Sequence, residues 1–259
     1  MSERGKISRR EFGVLTGGAF AAAAFSEACG VASEGSVAND GRIGARPQTK
    51  IKTTAAGERT LALGTARDAI LHLPPTVPDT PMPLLVLLHG AGGSGERMLR
   101  RLGSAPDEAG LAVLSPDSRG ATWDVIASRG DFGSDVTFLN KALEKVFAMV
   151  AVDPARLAIG GFSDGATYAL SLGLINGDLF PRIIAFSPGF VVDGAAHGRP
   201  QCFVSHGTAD GVLPIERCSR RIVPALRQRG HDVTYREFTG GHELPPAIVT
   251  EAMAWLTAK

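Results

Sequence analysis

The chain has almost no net charge, with 27 lysines and arginines against 26 aspartates and glutamates in 259 residues. That balance excludes a strongly basic nucleic-acid binder and a polyacidic tail protein. It also lacks any run of about 18 apolar residues, so no conventional transmembrane helix is expected. Aromatic residues make up only 6% of the chain and cysteines number three. Glycine (32) and proline (16) are plentiful, but without a collagen-like period they read as turn punctuation. At 44% hydrophobic the chain is too apolar for disorder and long enough to bury a large α/β core.

Several motifs are missing as well. Gly90 to Gly95 is glycine-rich, yet Gly95-Glu96-Arg97 stands where a phosphate loop needs Gly-Lys-Ser/Thr. No Gly-x-Gly-x-x-Gly supports a dinucleotide. No His-x-x-x-His, Glu-x-x-His or paired-cysteine spacing supports a metal. No cofactor and no metal are expected.

Residues 1–30 read as an export signal. Arg4, Lys6, Arg9 and Arg10 precede the weakly apolar run Gly13 to Phe25, and small residues follow. Ser8-Arg9-Arg10-Glu11-Phe12 resembles the twin-arginine signal, with Gly13 and Val14 where Leu and Lys are usual. The expected destination is the periplasm or the exterior. Cys29 stands where a lipoprotein would be cleaved and acylated, although Glu27 fits that box poorly. A membrane anchor is expected only if Cys29 is lipidated. Removing residues 1–29 leaves 23 basic and 23 acidic residues, so no electrostatic partner is implied. An oxidising compartment permits a Cys202–Cys218 disulfide, and two buried thiols are the alternative. Residues 31–58 are polar and aperiodic, as a flexible spacer would be. Residues 59–259 form the expected folded domain.

That domain alternates strands with helices. Thr60–Leu63 and Asp68–Leu73 read as short strands. Leu84–Leu88, Leu111–Leu114, Arg156–Ile159, Arg182–Phe186, Cys202–Ser205 and Val233–Phe238 follow as buried ones. The apolar stripe from Val136 to Val150 marks a helix. Further helices are expected at Ser163–Leu174, Ile215–Arg229 and Pro246–Lys259. The alternation predicts an α/β fold with a mostly parallel sheet covered on both faces and no second domain.

In such sheets ligands bind beyond the carboxyl ends of the strands. Four strands run into chemistry-bearing or glycine-rich residues at that rim: His89-Gly90-Ala91-Gly92-Gly93, Gly161-Phe162-Ser163-Asp164-Gly165, His206-Gly207-Thr208-Ala209-Asp210 and Thr239-Gly240-Gly241-His242. Gly161-x-Ser163-x-Gly165 is the strongest element. A strand that turns sharply into a helix forces Ser163 into a strained backbone region, and side chains two residues either side of it would clash. His231 precedes its strand and falls at the opposite edge, whereas His242 follows it. His89 and His206 read as structural braces.

In the order Ser163, Asp210, His242, with His89-Gly90 upstream, the chain resembles the α/β-hydrolase fold. It is most similar to small esterases of the phospholipase/carboxylesterase and polyhydroxybutyrate-depolymerase-like groups. The echoes are Leu88 to Gly93, Gly160 to Gly165, Phe186-Ser187-Pro188-Gly189, His206 to Asp210 and Gly240-Gly241-His242-Glu243. The resemblance implies a Ser163 nucleophile, a His242 base and an Asp210 acid. It also implies an oxyanion hole built from the backbone N–H groups of Ala91 and Asp164, with Gly92 a softer choice. Gly92 and Trp123 are the expected substrate-binding residues, Trp123 from an excursion over Asp117 to Asp135 that would overhang the rim. No insertion between Ser163 and Asp210 is long enough for a large cap domain. The expected activity is carboxylic-ester hydrolysis of a small-molecule or polymer-end ester, without nucleic acid. A peptidase or amidase on the same residues, or a non-catalytic exported binding protein of this fold, remain the alternatives.

Overall fold

A computed structural model describes residues 40–48, 50–128 and 130–258; the expected export signal and Cys29 lie outside them. Among the described residues eight strands form one sheet in the order β1-β2-β4-β3-β5-β6-β7-β8. They are β1 (Gly57–Thr60), β2 (Ala69–Leu73), β3 (Met82–Leu88), β4 (Ala112–Pro116), β5 (Val152–Phe162), β6 (Arg182–Phe186), β7 (Gln201–Gly207) and β8 (Val233–Phe238). β1 and β2 pair antiparallel at one edge, and β2 joins β4 antiparallel. Every other pairing is parallel. The sheet is therefore mostly parallel, as the alternation of strands and helices requires.

Side-chain alternation divides the core into two layers. Leu84, Val86 and Leu88 of β3 join one cluster, and Leu85 and Leu87 join the other. The first layer packs under α4 (Ser134–Phe147), α5 (Asp164–Ile175) and α6 (Ser219–Gln228). The second packs under α1 (Gly95–Arg101), α2 (Ala105–Glu108) and α7 (Pro246–Thr257). Each Leu, Ile, Val or Phe so buried contributes roughly 1.5–3 kcal/mol. In α4 the stripe Val136, Leu139, Leu143, Val146 and Phe147 is buried, with Asp135 in the first turn and Lys145 in the last, both signs favouring the helix dipole. α5 differs, because every residue from Gly165 to Ile175 is buried. A helix apolar all round belongs inside.

The expectation of a flexible spacer over residues 31–58 needs correcting for the described part. Ile43 and Ala45 lie in the core against the α4–α5 layer. Asn176 accepts from the Ile43 N–H at 2.9 Å and donates to Gly41 O at 2.7 Å. Asn140 Oδ1 accepts from the N–H groups of Gly44 and Ala45, and Arg42 forms a two-pronged pair with Asp178. The segment has no periodicity because its partners are side chains rather than a ladder. The possible disulfide is also absent. Cys202 and Cys218 are both free and buried, and burial pushes the Cys202 thiol up to about 12.

Candidate active site

The carboxyl ends of β3, β5, β7 and β8 carry His89, Ser163, Asp210 and His242. Ser163 occupies the turn from β5 into α5 with φ 58° and ψ −121°, a conformation that strains any residue with a β-carbon. Its neighbours explain why the turn is tolerated. A β-carbon at Gly161 would fall 2.6 Å from Leu88 O, and one at Gly165 would fall 2.3 Å from the same oxygen. The two glycines let α5 start directly against the end of β3. Ser163 N–H donates to Phe186 O at 2.9 Å, and Ser163 O accepts from Ala166 and Thr167 N–H. The backbone is over-determined and the hydroxyl is left free to point outward.

That hydroxyl lies 2.9 Å from His242 Nε2, and His242 Nδ1 lies 2.7 Å from Asp210 Oδ2. The network assigns the tautomer: Nδ1–H donates to the carboxylate, so Nε2 accepts from Ser163 Oγ–H. Asp210 is almost fully buried and His242 is partly exposed. Burial raises the Asp210 carboxyl, but the bonds from His242, Leu213 and Val212 outweigh it and hold the group below its ordinary value. His242 packs its ring 4.7 Å from that of Phe162, over which Arg101 also sits at 4.7 Å.

His206, His89 and His231 are each bonded elsewhere. His206 Nε2 donates to Leu213 O at 2.7 Å and lies 3.2 Å from Asp210 Oδ2, while Nδ1 accepts from Ser219 Oγ–H at 2.6 Å. Desolvation lowers its pKa, consistent with a neutral ring. His89 Nδ1 donates to Gly90 O, and its Nε2 accepts from Ser118 N–H; burial lowers its pKa too. His231 bonds Pro200 O before β7 begins, at the far edge from Ser163.

The loop after β3 decides between the candidate anion donors. Gly92 N–H donates to Ala121 O at 2.7 Å, which takes it out of contention. Among the described residues the N–H groups of Ala91 and Asp164 have no acceptor. Trp123 requires a correction. It is fully buried, donates Nε1–H to His89 O at 2.8 Å and stacks on Tyr168 at 5.1 Å. It braces the loop from beneath and has no surface to offer a substrate.

Sequence reasoning missed the residues that order this loop. Asp135 accepts from Arg119 N–H at 2.6 Å and Asp124 N–H at 2.7 Å, closing the two ends of the segment between them. Desolvation raises the Asp135 carboxyl to about 6. Thr122 Oγ1 donates to Asp164 Oδ2 at 2.6 Å. No local signal marks either residue, because their partners lie in other elements or across the loop.

A glycine-flanked, strained serine between β5 and α5, hydrogen-bonded to a histidine after β8, stands on an eight-stranded sheet whose solved counterparts share its path. The crystal structure of the esterase PE8 superposes with a TM-score of 0.58 at 24% identity, covering 72% of this chain and 95% of that one. The chain has the α/β-hydrolase fold. Residues 131–258 match the phospholipase/carboxylesterase family. NocK of Nocardia uniformis subsp. tsuyamanensis, a protein designated an esterase, is 30% identical over 186 residues, or 67% of this chain and 53% of its own. The protein designated feruloyl esterase C in Aspergillus clavatus is 30% identical over 158 residues, 57% of this chain and 56% of its own. The chain thus spans about half the length of these two relatives.

Proposed function

We propose that this α/β-hydrolase is an exported serine hydrolase that cleaves carboxylic esters through an acyl-enzyme. The observation that carries the reading is the continuous hydrogen-bonded path Ser163 Oγ–His242 Nε2 and His242 Nδ1–Asp210 Oδ2, ending beside two N–H groups without acceptors. The esterase designations of NocK and feruloyl esterase C support the ester as substrate.

The steps follow from the proton positions. Ser163 Oγ attacks the acyl carbon while His242 Nε2 takes its proton. Asp210 stabilises the imidazolium and keeps Nδ1 protonated throughout. Negative charge gathers on the former carbonyl oxygen, where the N–H groups of Ala91 and Asp164 receive it, aided by the amino end of α5. His242 then returns the proton to the departing alkoxide. Water, deprotonated by His242, attacks the acyl-enzyme; the acid leaves and Ser163 regains its proton. No cofactor takes part.

Hydrolysis of p-nitrophenyl acetate, butyrate and octanoate by the protein beside its Ser163→Ala variant tests this. The variant is expected to lose turnover by a factor on the order of 10⁴ or more. Full activity in Ser163→Ala refutes the nucleophile, and an inert wild type refutes the esterase reading. Export rests on the Ser8 to Phe12 motif and the run after it. Changing Arg9 and Arg10 to Lys is expected to retain the protein in the cytoplasm on cell fractionation; unchanged export of that variant refutes the twin-arginine route.

A further inference from the structure

The two open N–H groups at Ala91 and Asp164 have an anion for a neighbour. Asp164 carries one of these donors on its backbone and a carboxylate on its side chain. That carboxylate is close enough to act electrostatically on His89, two residues before Ala91. It also stands in the first turn of α5, where the helix dipole attracts negative charge. Charge-assisted N–H···O⁻ bonds are among the strong ones. A carboxylate free to turn here competes for the same donors that a developing oxyanion needs.

It is not free. Thr122 Oγ1–H donates to Asp164 Oδ2 at 2.6 Å, and Thr122 is itself fixed from both sides. Its predecessor Ala121 accepts Gly92 N–H at 2.7 Å, next to the Ala91 donor. Its successor Trp123 is buried and bonded to His89 O at 2.8 Å. Three consecutive residues therefore touch both halves of the oxyanion site, one half through Gly92 and His89 and the other through Asp164.

The geometry points to Thr122 as a positioning residue that keeps the oxyanion site vacant: its hydroxyl tethers the Asp164 carboxylate, so that the N–H groups of Ala91 and Asp164 stay open to the reaction. The inference rests on the esterase reading above and adds to it a device against self-occupation. Thr122 touches no reacting atom and transfers no proton.

Steady-state hydrolysis of p-nitrophenyl acetate by wild type, Thr122→Val, Thr122→Ser, Asp164→Ala and the Thr122→Val/Asp164→Ala pair tests it, with Ser163→Ala as reference. Thr122→Val removes the hydroxyl at nearly constant volume. Its kcat is expected to fall about 10- to 100-fold, approaching the loss of one oxyanion donor, with KM within about twofold. Thr122→Ser, which keeps the hydroxyl, is expected within about threefold of wild type. Adding Asp164→Ala to Thr122→Val is expected to restore most of the lost kcat, because the competing carboxylate is gone while the backbone N–H remains. A merely structural Thr122 gives a double variant no better than Thr122→Val, and that result overturns the inference. So does Thr122→Val with wild-type kcat while Ser163→Ala is dead, which leaves the esterase reading intact. Wild type no more active than Ser163→Ala removes the esterase reading and the inference together. Thermal unfolding is read for each variant; if Thr122→Val does not fold, Thr122→Ala with and without Asp164→Ala provides the same comparison.

Discussion

Two buried aspartates on this rim show how little separates a carboxylate paired with a histidine from a brace. Asp210, after β7, and Asp135, opening α4, each accept two backbone N–H bonds. Burial raises both carboxyls, yet Asp210 ends below its ordinary value and Asp135 near 6. The difference lies in the third neighbour. Asp210 receives His242 Nδ1–H at 2.7 Å, whereas Asp135 faces the like charge of Asp124, with the Arg119 guanidinium no nearer than 4.0 Å. Partner inventory, and not burial alone, fixes which carboxylate is held ionised beside an imidazole and which is held as a clasp.

The comparison breaks most sharply at Asp210. Asp210→Asn replaces an acceptor with an amide that cannot hold the Nδ1–H tautomer, so turnover of p-nitrophenyl acetate is expected to fall roughly 10⁴-fold. The fold is expected to persist by circular dichroism; less than a tenfold loss would show that the third neighbour does not matter. A smaller effect, on stability, is expected at Asp135. Its folded pKa, about 6, lies above the ordinary aspartate value of 3.8, so the native state binds the extra proton between those values. Stability from this group is therefore present below about pH 4 and is lost as pH rises through about 6. Relative to Asp135→Asn, the wild type is expected to gain about 2 kcal/mol between pH 7 and pH 4. Urea unfolding of both proteins across that range measures it, and a flat difference contradicts the shift.

Much of this architecture is legible in the sequence alone. The stripe in α4 and the aliphatic runs of β3 and β7 announce themselves, since burial on a helix face or between two layers leaves a periodic or continuous apolar signature. Ser163, His242 and Asp210 were legible as a group because each follows a strand. The helices α1, α2 and α3 (Asp124–Ala127) were not, because four to seven residues are too few to display a period. Residues 40–46 were missed because Asn140 and Asn176, about a hundred residues away, supply their hydrogen bonds. Trp123 was misjudged for a different reason. A tryptophan in a glycine-bearing loop carries no mark of which way its ring turns, and here it turns inward to His89 and Tyr168.

The burial of α5 on every side has a consequence for heat and time. A helix with a solvent face can fray or tilt by itself, but the one that begins at Ser163 is buried from Gly165 to Ile175. Local opening there exposes core, so its free-energy cost approaches that of unfolding the whole domain. Ser163 therefore has no private melting point. On warming, its geometry should endure for as long as the molecule does, and then vanish with it in one step.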